Sequence, residues 1–147
     1  MDYIEIKGYK SIKEQKVDFK DINILIGSNG SGKSNFISFF EFLNRLYNRN
    51  LQEYISLRGG EDKILFEGKD VTDRIYFNVE FNGGVNGYSA TLKAGEEKLI
   101  FTDERLIYNR DEGSDISAYS TEARIKTTDN FRAKYVIQYL NGFRKYH

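Results

Sequence analysis

The sequence predicts an α/β fold: N-terminal strands and one helix, packed with an antiparallel β-meander and closed by a C-terminal helix. Three observations carry that expectation. Apolar residues alternate at the start of the chain, a glycine-rich loop at residues 27–34 separates an apolar run from a helical period, and alternation returns over residues 63–110. The 147 residues make one domain by length. That length suffices to bury roughly 70% of the unfolded surface.

Taken in order, residues 3–9 (YIEIKGY) set Ile4 and Ile6 against Tyr3 and Glu5, a strand pattern. Residues 16–19 (KVDF) are a second short strand. Residues 22–27 (INILIG) form a nearly continuous apolar run ending in glycine, as expected of a strand buried on both faces. From Lys33 the period changes. Phe36, Phe39, Phe40, Leu43 and Tyr47 share one helical face, which Ile37, Phe42 and Leu46 widen, so this helix belongs in a core. YNRN ends it.

The middle of the chain reads as strands. Ile75, Phe77, Val79 and Phe81 alternate with Tyr76, Asn78 and Glu80, and YSATLKA and KLIFTDERLIYNR behave alike. DEGSDISAYS, residues 111–120, reads as an exposed loop. DNFRAKYVIQYLNG returns to helical spacing through Phe131, Tyr135, Ile137 and Leu140, with Asp129 or Asn130 as N-cap and Gly142 near the end.

Composition excludes several classes. Twenty-two basic residues balance twenty-two acidic ones, so no global charge draws the chain to nucleic acid or an anionic membrane. There is no cysteine for disulfides or thiolate metal sites, and the single histidine, His147, leaves no basis for a histidine zinc site. No apolar run approaches the ~20 residues that span a bilayer, and the N-terminus lacks a signal-peptide core. The chain reads as soluble and cytoplasmic.

The loop carries the chemistry. Gly27, Ser28, Asn29, Gly30, Ser31, Gly32, Lys33 and Ser34 satisfy G-x-x-x-x-G-K-[ST] in full. Glycines let consecutive backbone N–H groups curl inward around phosphate oxygens. The following helix adds the partial positive charge of its N-terminus. In this motif Lys33 reaches the β- and γ-phosphates of ATP, and the Ser34 hydroxyl is a Mg2+ ligand. An apolar run before the loop and an apolar-faced helix after it supply the strand–loop–helix context that the motif requires.

The stretch YIEIKGYKSIKEQKVDFKDINILIGSNGSGKSNFISFFEFL resembles the N-terminal part of ABC-class ATPase heads of the SMC, RecF and OLD type. The nearest likeness is to OLD-like, AAA-family ATPases of bacterial DNA repair, of anti-phage systems such as Septu, and of those found beside retrons. Three details carry it: a strand running into Gly-Tyr-Lys-Ser-Ile, a loop that begins at residue 27, and Asn35 after the Lys-Ser pair. The likeness is strong over residues 2–46 and weaker from Arg58-Gly59-Gly60 through the meander. It implies that Lys10 and Ser11 lie near the adenine or the phosphates, that Asn29 approaches the γ-phosphate, and that Asn35 belongs with the loop. A lysine and a serine after a strand are also an ordinary solvated turn. ABC transporter ATPases are the competing branch, but they carry a longer segment ahead of the loop and often a Thr where Asn35 stands.

Hydrolysis in this class needs a further Mg2+ carboxylate at the end of an apolar strand and a following Glu to activate water. Asp103 and Glu104 in LIFTDE imitate that pair, as metal ligand and base. Against this, Thr102 interrupts the apolar run and RLIY continues at once as strand, so the meander is the preferred reading. The expectation is that residues 1–147 form the N-terminal lobe of a longer ATPase head, ending before its catalytic half, with NGFRKYH turning into a further strand. The resemblance also implies a homodimer of heads around ATP in the complete protein. A non-hydrolysing module that recruits a nuclease partner is the alternative. Lysines at 7, 10, 13, 16 and 20 and the pairs Arg124/Lys126, Arg132/Lys134 and Arg144/Lys145 read either as a DNA surface or as solvated faces interleaved with acids.

Overall fold

The computed structural model describes residues 1–142 apart from Ser31, Glu97 and Asp111. Its frame is a six-stranded sheet of β1 (Tyr3–Tyr9), β2 (Ile12–Asp18), β3 (Arg74–Phe81), β4 (Asn86–Ala94), β5 (Leu99–Tyr108) and β6 (Glu112–Ser117). The strand order is β2-β1-β3-β4-β5-β6, and every neighbouring pair is antiparallel. Three helices accompany it among the described residues: α1 (Lys33–Tyr47), α2 (Leu51–Leu57) and α3 (Ala133–Leu140). The mixed α/β class and the antiparallel meander are therefore as expected. No helix among the described residues is long and apolar enough to cross a membrane.

Alternation sorts the sheet into an apolar and a polar face. Ile4, Ile6, Ile75, Phe77, Val79 and Phe81 are fully buried on the first, against the helices. Phe39 of α1 meets Tyr9 edge-on at 5.0 Å and Phe77 at 5.8 Å, while Tyr139 of α3 stacks flat on Phe81 at 4.7 Å. The polar face carries Lys7 and Lys16, bridged to Glu5 at 3.1 and 3.3 Å. Lys7 and Lys16 of the N-terminal lysine series are thus ion-paired.

The helical layer is pinned by polar contacts from afar. Asn50, the N-cap of α2, makes no side-chain cap. Glu122 supplies one instead, accepting from Leu51 N and Gln52 N, both at 3.0 Å. A carboxylate there satisfies two orphan donors and meets the positive end of the helix. Gln52 Nε2 in turn donates to Leu99 O at 2.9 Å and Thr121 O at 2.7 Å, tying α2 to β5.

Four local expectations are corrected. Residues 22–27 are not a buried strand: no described strand pairs with them, and Ile22, Ile24 and Ile26 are 81%, 77% and 88% exposed. Residues 112–117 are not loop but the edge strand β6, which pairs with β5 through its backbone and so needs no apolar alternation. α3 starts later than expected, with Arg132 and not Asp129 or Asn130 as N-cap, and buries Ala133, Val136 and Leu140, whereas Tyr135, and Phe131 ahead of the helix, are exposed. The second strand begins at Ile12, well ahead of residue 16. The further strand expected from NGFRKYH lies beyond Gly142, outside the described residues.

Candidate functional site

The site is built where the glycine-rich loop meets the turn between β1 and β2. Gly8 aims that turn. Its φ is +75°, and a Cβ there would stand 2.2 Å from the Arg74 carbonyl oxygen, so only glycine fits. Beyond Gly8 the strand turns to a new neighbour: Phe66 N donates to Gly8 O at 2.9 Å and Lys10 N to Ile64 O at 2.8 Å. Lys10, at φ 49°, and Ser11 then make the two-residue turn into β2.

That turn rests on the start of α1. Asn35 Nδ2 donates to Ser11 Oγ at 2.7 Å. A Cβ on Gly32 would lie 3.3 Å from the same oxygen, so the loop and the turn are close to contact. Lys10 Nζ donates to Ser38 Oγ at 3.0 Å, and the Tyr9 hydroxyl lies 3.1 Å from that oxygen. Burial pushes the Tyr9 phenol far above its ordinary pKa, which keeps it a neutral hydrogen-bonding group.

Two glycines turn the loop. Gly30 and Gly32 are both at φ 87°, the left-handed region that favours glycine. Gly32 is also the N-cap of α1, with no side-chain cap, so the first helical amides are directed at whatever fills the loop. Lys33 Nζ donates back to the carbonyl oxygens of Gly27 and Ser28, the latter at 2.6 Å. A cavity of about 340 Å³ is lined by Asn29, Gly30, Gly32, Lys33 and Ser34, together with Ser11 and Asn35. A second, of about 720 Å³, shares Ser11 and Asn35 and extends to Lys10, Asp62 and Phe66.

These donors suit a polyphosphate. No residue lining the smaller cavity carries a carboxylate, while backbone amides, an ammonium and the Ser34 hydroxyl are present. Among the described residues no group of three His, Cys, Asp or Glu side chains could hold a metal alone. A Mg2+ at Ser34 would take phosphate oxygens and water among its remaining ligands.

The sequence-predicted residues divide clearly. Asn29, Gly30, Gly32, Lys33, Ser34, Asn35 and Ser11 come together around one cavity, with Lys10 in the neighbouring one. Gly27 and Ser28 hold the Lys33 ammonium, and Ser31 lies outside the described residues. Asp103 and Glu104 sit on β5, three strands from β1, or about 14 Å at ordinary strand spacing. As successive strand residues they point to opposite faces. Asp103 lies opposite Thr91, and partial burial lifts its carboxyl above the usual aspartate range, opposed by Arg105. Glu104 is wholly buried and accepts from Tyr88 Oη at 2.8 Å, Arg124 N at 2.9 Å and Ile125 N at 3.1 Å. Sequence reasoning missed Tyr9, Ser38 and the 62–68 segment. The i, i+4 spacing of Ser34 and Ser38 on one helix is the only trace of Ser38, while Tyr9 and residues 62–68 reach the site through tertiary contacts.

Residues 1–141 match a family described as an AAA ATPase domain. No curated protein matches the chain.

Proposed function

The chain belongs to the AAA ATPase domain family, and from that premise we propose that it is an ATP-binding lobe whose phosphate site is the loop Gly27–Ser34. The observation that supports this best is the convergence of two glycines at φ 87°, the amino end of α1 and the Lys33 ammonium on one carboxylate-free cavity. In this reading Lys33 leaves the Gly27 and Ser28 carbonyls for the phosphates, and Ser34 offers its hydroxyl to Mg2+. Asn29, Asn35, Lys10 and Ser11 line the approach to the nucleotide. When bound, Mg2+ neutralises phosphate charge.

Hydrolysis, in the same proposal, depends on groups outside these 147 residues. Glu104 is committed to three donors of the fold and Asp103 faces away from it. The exposed run Ile22, Ile24 and Ile26 supports completion of the lobe by further strands. The resemblance of residues 2–46 favours a role in bacterial genome maintenance or phage defence, with two heads closing around ATP. Titration with a fluorescent ATP analogue tests the core of the reading. Wild type should bind and Lys33→Ala should weaken binding on the order of 100-fold, since it loses charge-assisted bonds to phosphate. Equal affinity of the two proteins would remove the assignment. Turnover that disappears in Lys33→Ala would return catalysis to this chain.

A further inference from the structure

Between α3 and the ends of β3–β5 lies a cavity of about 410 Å³ whose lining differs from that of the phosphate loop. Phe131, just ahead of α3, and Tyr135, in its first turn, are 66% and 41% exposed at its mouth. Arg132 lies between them in sequence, its guanidinium 3.9 Å from the centre of the Tyr108 ring. Asn82, Asn86 and Gln138 add three carboxamides, and no lining residue carries a carboxylate. Lys134 Nζ stands 4.9 Å from the Tyr135 ring, so the segment Phe131–Tyr135 interleaves aromatic and basic groups.

Each part has a counterpart in one kind of ligand. Exposed rings beside arginine stack on the π-faces of unpaired bases. Carboxamides donate and accept on base edges. The Arg132 guanidinium in the lining, and the Lys134 ammonium beside Tyr135, suit backbone phosphate, and no lining residue carries a carboxylate to oppose them. A duplex hides its base faces and would find only the two cations. We propose that this cavity docks single-stranded nucleic acid, with bases stacked on Phe131 and Tyr135 and the backbone held by Arg132 and Lys134. The proposal is independent of the phosphate loop, since it shares no residue with it.

Fluorescence anisotropy of the full chain with a labelled 20-nucleotide single strand and its duplex tests it. The single strand should bind more tightly than the duplex. Phe131→Ala and Tyr135→Ala, both substitutions of exposed rings, should each weaken single-strand binding on the order of 10-fold. Arg132→Gln should lower the salt dependence. Leu57→Ala, exposed on α2, is the control and should change nothing. Single-strand affinity unchanged in the Phe131/Tyr135 double variant overturns the proposal, as does equal or tighter duplex binding. Loss of binding in Lys33→Ala alone would assign the oligonucleotide to the phosphate loop and also overturn it. So would a double variant that shifts the oligomeric state in sedimentation while leaving oligonucleotide affinity intact, because the patch would then be a protein interface.

Discussion

Glu104 shows how a residue can imitate one role and hold another. In the sequence, Asp-Glu after Leu-Ile-Phe-Thr looks like the acidic end of a catalytic strand. What decides its role is a register shift between Thr91 and Leu92, which sets Glu104 opposite the buried Ala90 and sends its carboxylate inward. No local pattern reveals that shift, so this role was illegible. Glu104→Ala should cost about 2–4 kcal/mol, because Tyr88 and two backbone amides lose their acceptor in a dry interior; urea denaturation measures it. Burial also raises the Glu104 pKa above the usual glutamate value. An acid raised on folding contributes stability that is fully present below its unfolded pKa and is lost as pH rises through the folded one. The stability advantage of wild type over Glu104→Gln should therefore be larger at pH 4 than at pH 7. An advantage that grows toward pH 7 would mean that hydrogen bonding outweighs burial. The turns at Gly30 and Gly32 and the start of α1 at Lys33, by contrast, were legible, since glycine φ and a helix N-terminus are local properties.

Elements were readable where side chains made the pattern and unreadable where the backbone did. β3, β4 and β5 alternate because one face is buried, and α1 repeats its phenylalanines because one stripe meets the sheet. The edge strand β6 has the sequence EGSDIS and is held by its ladder with β5, so it leaves no hydrophobic signature. Helix α2, only seven residues long, takes its N-terminal acceptor from Glu122, seventy-one residues from Leu51. Glu122→Ala should destabilise the fold by about 1–2 kcal/mol and raise amide exchange across Leu51–Leu57 above the rest of the chain. Gly8→Ala tests the aim of the β1–β2 turn. With the Arg74 carbonyl in the way and φ at +75°, it should cost about 2–4 kcal/mol. It should also reduce nucleotide affinity, through the Ser11–Asn35 contact, in whatever fraction remains folded.

At the scale of the molecule, the apolar run at 22–27 reads in sequence as a buried strand, and in the structure it is neither paired nor buried. Composition reports what a segment could bury against, not whether a neighbour is present. Its exposed isoleucines predict that the 147-residue protein self-associates. Ile24→Lys should shift sedimentation toward monomer and lower dye binding to exposed apolar surface, at less than about 0.5 kcal/mol of stability. The strand order has a different consequence, in time. β3 to β6 join sequential neighbours, but β1 must wait for β3, pairing Tyr3 with Glu80 across more than seventy residues of chain. Non-local pairing of that kind is slow to form. On a ribosome the phosphate loop emerges before β3, yet the turn that steadies it through Ser11 gains its support only after β3 has been made. Competence to bind nucleotide should thus be acquired only once β3 has been made, although its motif precedes that strand.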